Sequence, residues 1–323
     1  MFNFIGETLH GYKFLSEIGK GEYGRVFEVE KEATGEKFAM KLISRNLVDT
    51  QEHLVEQVEN EMKILQIIKH PNLLHCYETH RDTAYYYMVL DLCEGGDLDS
   101  YVKSNGPVSE QTAIMFLRQI MDGYQELRKY KVMHRDIKPS NFLLNKMKDK
   151  VILGDFGFVK IGEETATELI GTPVTCAPEI MVYGGSRPYD NKVDVWSLGC
   201  TFFFMLYGRY PFLPKDRQDL IKQICLNSGK ALFTPQVPNT SVLAKDLLKK
   251  LLEPENSKRL GWDELYKDLL FLQEEASESC TISNMVGFSS PPLKYDSHKC
   301  ATIDELISKF NSQNTSLNQK LHL

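Results

Sequence analysis

Long hydrophobic runs are missing from this chain. The longest strongly apolar stretch, Phe202-Phe203-Phe204-Met205-Leu206, is far shorter than the roughly 20 residues that cross a bilayer, and no basic region followed by an apolar stretch opens the sequence. Neither membrane insertion nor secretion is expected. Phe2 excludes N-myristoylation, and the ending KLHL matches no prenylation or retention signal. An excess of basic residues is missing too: 38 Lys and Arg stand against 44 Asp and Glu, so a nucleic-acid-binding surface has no compositional support. Any phosphate bound here must be met by local groups. Cysteines are odd in number, seven, with no C-x-x-C spacing, which suits a reducing compartment and thiols used for packing. A cytoplasmic location is expected, with nothing against a nuclear one.

With 323 residues and 42% hydrophobic content, the chain is long enough for one large two-lobed domain or two ordinary ones. The stretch IGKGEYGRV places Gly19, Gly21 and Gly24 in the spacing G-x-G-x-x-G. That spacing marks a dinucleotide site when a helix follows, or a flap over nucleotide phosphates when strands lie on both sides. Here Val26, Phe27 and Val29 continue an alternating strand, and Thr34-Gly35 marks a hairpin turn before the next one. A dinucleotide fold is thereby disfavoured, because its first strand must run into a helix.

The first helix is predicted over about 51–69, where Leu54, Val58, Leu65 and Ile68 recur at spacings of three and four. Glu61 falls in the middle of that apolar stripe. A carboxylate facing inward must find a cation or lose its charge, so the pattern predicts a buried ion pair. Further strands follow His70-Pro71-Asn72 and end in YYYMVLDLC; beyond Gly106-Pro107 the chain is chiefly helical. The segment VDVWSLGCTFFFMLYG is apolar nearly all round and reads as a buried helix. Residues 273–300 are polar and broken by Pro291-Pro292, as in a linker. In the tail, Thr302 and Glu305 form a capping box before a short helix with Ile303, Leu306, Ile307 and Phe310 on one face. That helix is expected to dock on the rest of the chain.

Four stretches carry chemistry in order along the chain: FAMK ends a strand with Lys41, HRDIKPSN holds Asp136, Lys138 and Asn141, GDFG holds Asp155, and CAPE closes with Glu179. Phosphate transfer from ATP needs a cover for the phosphates, a cation on them, magnesium ligands and a carboxylate for the acceptor hydroxyl. At these residues the chain resembles the eukaryotic protein kinase family, in its serine/threonine branch, from about Gly11 to Leu272. The subgroup stays open between autophagy-type and calmodulin-dependent kinases. The resemblance implies an α+β, two-lobed fold. It also implies an N-terminal arm (1–10), a kinase domain (11–272) divided into lobes at 11–92 and 93–272, the linker (273–300) and the tail (301–323).

By the same resemblance, Ile18, Gly19, Gly21, Gly24, Val26, Ala39 and Leu143 would surround the nucleotide. Lys41 would hold its phosphates and pair with Glu61. The backbone of Asp91 and Cys93, beside the gatekeeper Leu90, would face the adenine edge, with Asp97 near the ribose. Asp155 and Asn141 would bind Mg2+, with Mn2+ able to replace it, Asp136 would accept the substrate proton, and Lys138 would steady the transferred group. Leu65, Cys76, His134 and Phe156 would stack as a regulatory spine, Glu179 would pair with Arg259, and Asp194 would brace the catalytic loop. Arg135 and Lys160 would meet an anion of the activation segment, supplied by Glu168 or by phosphate on Thr167 or Thr165. Thr172, with Lys138, implies serine or threonine rather than tyrosine in protein substrates, and Phe158 implies serine ahead of threonine. The alternative is a pseudokinase serving as a binding or scaffolding module.

Overall fold

The computed structural model describes residues 4–21, 24–162, 165–166, 171–183, 186–212, 215–226 and 240–271. Thr167, Glu168, the linker and the tail helix lie outside these described residues. The first part of the chain is a six-stranded antiparallel sheet. Its strands are β1 (Thr8–Leu9), β2 (Tyr12–Lys20), β3 (Gly24–Lys31), β4 (Lys37–Ser44), β5 (Cys76–Arg81) and β6 (Tyr85–Leu90), in spatial order β1-β2-β3-β4-β6-β5. Alternation decides which side chains point inward. In β3, Phe27 and Val29 are buried between partly exposed neighbours, and in β4 Met40 and Leu42 join them in one apolar cluster.

Phe4 belongs to that cluster, its ring 5.4 Å from Phe14 and 5.7 Å from Phe27, and β1 pairs with β2. Within the stretch expected as an arm, Phe4 thus packs on the sheet and Thr8–Leu9 pair with it, while residues 5–7 between them are exposed; the stretch is too short to show a period. One turn of helix, α1 (Arg45–Val48), precedes the helix predicted near residue 51, which forms α2 (Glu52–Ile67). Four residues offer too little pattern to announce α1 from sequence.

The second part is helical: α3 (Leu98–Asn105), α4 (Glu110–Lys129), α5 (Pro178–Tyr183), α6 (Lys192–Tyr207), α7 (Arg217–Leu226), α8 (Val242–Leu251) and α9 (Trp262–Leu265). A two-stranded ribbon, β7 (Phe142–Leu144) with β8 (Val151–Leu153), lies against α4. Helix α4 is capped by Ser109, whose hydroxyl accepts from Thr112 N, and its last turn carries Arg128 and Lys129, which suit the negative end of a helix. Helix α6 is buried from Val193 to Leu206, as its uniformly apolar composition requires. A Cβ on Gly199 would come within 2.8 Å of Leu251 Cβ, so glycine here lets α6 and α8 approach closely.

An ion pair fastens the lower helices. Arg259, fully buried beneath Trp196, places both terminal nitrogens on Glu179, at 2.7 and 2.8 Å, and its remaining protons reach the carbonyls of Lys192, Glu253 and Pro254. Glu179→Ala should destabilise the chain by about 3 kcal/mol, the low end for a broken buried pair because Glu179 is partly exposed and three carbonyls remain for the guanidinium. Equilibrium urea unfolding measures this. A loss under 1 kcal/mol would show the pair to be solvent-screened.

Candidate active site

The buried carboxylate predicted on α2 has the partner its position demanded. Glu61, 4% exposed, accepts from Lys41 Nζ of β4 at 2.7 Å. Burial depresses the Lys41 ammonium, but the nearby carboxylates of Glu61 and Asp155 outweigh it and its pKa is raised. These residues border a cavity of about 290 Å3 whose walls also include Gly21, Gly24, Val26 and Lys138. Glycine at 24 has a structural cause besides access for phosphates: a Cβ there would meet the Leu42 carbonyl oxygen at 2.0 Å. The Gly21 amide closes the turn by donating to the Gly24 carbonyl at 2.9 Å.

Asp136 and its neighbours sit on the segment between α4 and β7. Asp136, 2% exposed, has one carboxylate oxygen, Oδ2, 2.6 Å from Lys138 Nζ and 3.1 Å from Asn141 Nδ2. The other, Oδ1, accepts from the Thr172 hydroxyl at 2.8 Å and the Thr172 amide at 3.1 Å. Lys138 Nζ also donates to the Thr172 hydroxyl, at 2.9 Å. Four donors thus fix one carboxylate. Asn141 spends its NH2 on the Asp136 carbonyl and carboxylate, which leaves Oδ1 as an oxygen donor to a cation.

The segment itself is held from below by Asp194 at the start of α6. Fully buried, its carboxylate accepts from the amides of His134 and Arg135, each at 2.8 Å, and from the Tyr124 hydroxyl at 2.6 Å. Burial raises the Asp194 pKa, and these bonds oppose that shift. Arg135 and Asp155 adopt left-handed backbone, φ 66° and 56°, a conformation that costs a non-glycine residue on the order of 1 kcal/mol or more and is kept only when surroundings demand it. At Asp155 it leaves the carboxylate exposed at the cavity beside the buried Phe156.

The adenine-side residues follow the strand register: Ala39 lies opposite Leu90, and Leu143 bridges Asp97. None of these borders the cavity at Lys41, and neither does Ile18, half exposed near the end of β2. Asp97 caps α3, accepting from the Ser100 amide and hydroxyl at 2.8 and 2.7 Å, a duty additional to the ribose role expected of it. Cys93 has its thiol pushed up to about 12 by burial, consistent with a backbone contribution alone. Leu65, Cys76, His134 and Phe156 are all buried, with the His134 and Phe156 rings 5.2 Å apart.

Among the described residues the Arg135 guanidinium donates to the Phe158 carbonyl at 2.7 Å and lies 3.5 Å from the Tyr189 hydroxyl; the anion expected for it falls at Thr167 or Glu168, outside the described residues. Lys160 pairs through its backbone with Met133, and Thr165 is exposed next to the Ala166–Tyr189 bridge. Sequence reasoning missed Tyr124 and Tyr189 as polar partners of the site, because each reads as an apolar-face residue until the loop it serves is placed. Thr172, used only as a substrate marker, turned out to bond both catalytic-loop side chains; its spacing before CAPE was the available signal.

Comparison with known proteins agrees with this geometry. The Protein kinase domain family model matches residues 12–271. Calcium-dependent protein kinase 14 of Arabidopsis thaliana is 35% identical over 260 residues, covering 79% of this chain and 48% of the relative. Calcium-dependent protein kinase 7 of the same plant is 32% identical, covering 85% and 51%, and its serine/threonine-protein kinase ATG1c is 33% identical, covering 82% and 36%. The chain thus spans about a third to a half of the length of these curated relatives. With the family model covering most of the chain and Lys41, Glu61, Lys138 and Asp155 bordering one cavity, this chain belongs to the protein kinase domain family.

Proposed function

We propose that the chain is an ATP-dependent serine/threonine protein kinase, transferring the γ-phosphate of ATP to serine, and less readily threonine, hydroxyls of protein substrates with Asp136 as the base. The observation that carries this reading is the Asp136 carboxylate, held in a fixed orientation by Lys138, Asn141 and Thr172, of which Lys138 also borders the cavity at Lys41. Asp155 and the Asn141 oxygen are a hard-oxygen pair suited to Mg2+ or Mn2+, and Lys41 supplies a fixed cation for the nucleotide phosphates. The metal, when bound, neutralises charge on the phosphate oxygens. Asp136 orients the acceptor hydroxyl and takes its proton, and Lys138 steadies the moving phosphoryl group. Orientation dominates because the transition state is loose.

Activation is assigned to the segment around Thr165, Thr167 and Glu168. A carboxylate at position 168 carries one negative charge that could meet Arg135 and Lys160, and phosphate on Thr167 would carry about −1.5 to −2, ordering the segment further. The test of the overall reading is magnesium-dependent transfer of labelled γ-phosphate to matched peptides differing only in serine or threonine. Phe158, the bulky residue after GDFG, implies the faster rate on serine. Equal rates would remove the acceptor preference, and no label on either peptide would remove the kinase reading itself.

A further inference from the structure

Behind the segment joining β6 to α3 lies a second cavity, of about 660 Å3, which shares no lining residue with the one at Lys41. Its size falls in the range of small-ligand sites, roughly 300–1,000 Å3. One of its walls is a single stitched piece. Leu74 N donates to the Leu153 carbonyl and Leu153 N to the Asn72 carbonyl, both at 2.9 Å, and the Asn72 side chain reaches the Val151 carbonyl at 2.8 Å. The loop after α2 is thereby bonded to β8, with Lys69 and His70 opening the loop and Lys150 standing just before the strand.

Most charges around the cavity are already matched. Lys37 pairs with Glu28 at 2.7 Å and Glu94 with Lys146 at 3.1 Å. Asp91, on the segment joining β6 to α3, accepts from the His75 amide at 2.9 Å and the Tyr77 hydroxyl at 2.8 Å. Lys69 and Lys150 remain, with no ion pair to any carboxylate among the described residues. His70 adds a neutral donor. Its Nδ1 accepts from the Asn72 amide at 3.1 Å, which puts the proton of the neutral ring on Nε2, and Nε2 has no acceptor among the described residues. Burial lowers the His70 pKa, Glu126 and Asp122 of α4 oppose that shift, and Lys129 and Lys150 add to it, so the ring is chiefly neutral at pH 7.

One fixed wall thus carries three groups whose N–H donors lack an acceptor, two of them cations. A carboxylate would bring one charge and two oxygens, whereas a phosphate monoester brings about −1.5 to −2 and three terminal oxygens, the closer match to two ammonium groups and an imidazole N–H. Phe38, Leu73, Leu92 and Ile152 give the cavity an apolar side for whatever the phosphate is attached to. We propose that this cavity binds a phosphate monoester, its oxygens on Lys69, Lys150 and His70 and its organic part against those four side chains. The phosphate belongs to a free small molecule or to a phosphorylated side chain of a partner, and both present the same group to the wall. Lys69 is exposed and Lys150 half-buried, so binding is of modest affinity and weakens with salt. The site stands apart from phosphate transfer, and its occupancy is read without turnover.

The test titrates the full chain with phenyl phosphate in low salt by calorimetry, beside benzoate, inorganic phosphate and a short phosphoserine peptide. Phenyl phosphate is expected to bind more tightly than benzoate or inorganic phosphate, and to shield Lys69 and Lys150 from acetylation mapped by mass spectrometry. Lys69→Ala/Lys150→Ala should weaken binding at least about tenfold, the size of lost charge-assisted bonds. Lys69→Arg/Lys150→Arg should keep it, which separates lost charge from a damaged fold, and Lys41→Met should leave it unchanged, which separates this cavity from the one at Lys41. A phosphoserine peptide that binds as tightly as phenyl phosphate, or more so, assigns the phosphate to a protein partner; a weaker one assigns it to a free small molecule. No binding of phenyl phosphate at millimolar concentration, binding matched by benzoate, binding unchanged in the double alanine chain, or binding lost in the arginine chain or in Lys41→Met would each overturn the proposal.

Discussion

Lys41→Met is expected to lower phosphate transfer at least about a hundredfold at pH 7 to 8. Among the described residues Lys41 is the strand cation at the cavity that also holds Glu61 and Asp155, and on the proposed reading it meets the nucleotide phosphates, where removing one preorganised charge costs about 10²–10³ in rate. Its position depends on Glu61, at 2.7 Å, so Glu61→Gln should give a smaller loss, since the amide oxygen can still accept from the ammonium. The pH dependence follows from the raised Lys41 pKa. A cation whose folded pKa lies above its ordinary 10.5 contributes stability that is complete below 10.5 and is lost only as pH climbs through the folded value. The pair is therefore whole across the assay range. An alkaline loss of activity between pH 8 and 10 that disappears in Lys41→Arg would contradict this assignment.

Asp194→Ala is expected to damage both the fold and the rate. The substitution strands the Tyr124 hydroxyl and the amides of His134 and Arg135 where no water reaches, a cost of about 3–5 kcal/mol for a buried network missing its acceptor. For a domain of this size that lowers the melting temperature by roughly 10 °C. Released from their acceptor, His134 and Arg135 no longer fix the segment that carries Asp136, so the surviving folded protein should also turn over more slowly. Asp194→Asn keeps one oxygen and should lie between. Because burial raises the Asp194 pKa, its contribution runs opposite in sign to a paired surface acid: stability is greatest below its ordinary pKa, 3.8, and declines as pH rises through the folded value. Thermal melts of Asp194→Ala and wild type from pH 3 to 7 should therefore converge least at acid pH. Melting temperatures within 2 °C of each other throughout would show that the loop holds itself.

Much of the site was legible because its chemistry is written in short stretches of contiguous sequence. Glu61 shows half of this without any appeal to family: an acid in the apolar stripe of α2 required a cation, while Lys41 as that cation came from the resemblance, and it sits inside β4 rather than at a strand's end. The strand after Gly24 was equally readable from period-2 alternation, although the clash of a Cβ with the Leu42 carbonyl, which makes glycine obligatory there, needed the β3–β4 register. Contacts between distant segments were not legible. Tyr124 sits on the buried face of α4 like its apolar neighbours, and only the arrival of α6 beside it, 70 residues later, turns its hydroxyl into a ligand of Asp194. The segment joining β6 to α3 shows the same limit: Asp91 was read for its backbone, while its side chain is bound to His75 and Tyr77. Phe4 was missed for a different reason, since a lone aromatic before two residues of strand carries no period at all.

The central claim is that Asp136 is the base of a phosphate-transfer reaction, and single-turnover transfer to a serine peptide measures it most directly. Wild type and Asp136→Asn are compared at saturating ATP and Mg2+, with nucleotide binding and melting temperature recorded on the same samples. Asparagine keeps the size of the side chain but only one oxygen, which can accept from Lys138 or from Thr172 and not from both, and it has no capacity to take the hydroxyl proton. The expected result is unchanged nucleotide binding with a transfer rate reduced about 10²–10⁴-fold. Equal labelling of the peptide by both proteins would contradict the assignment.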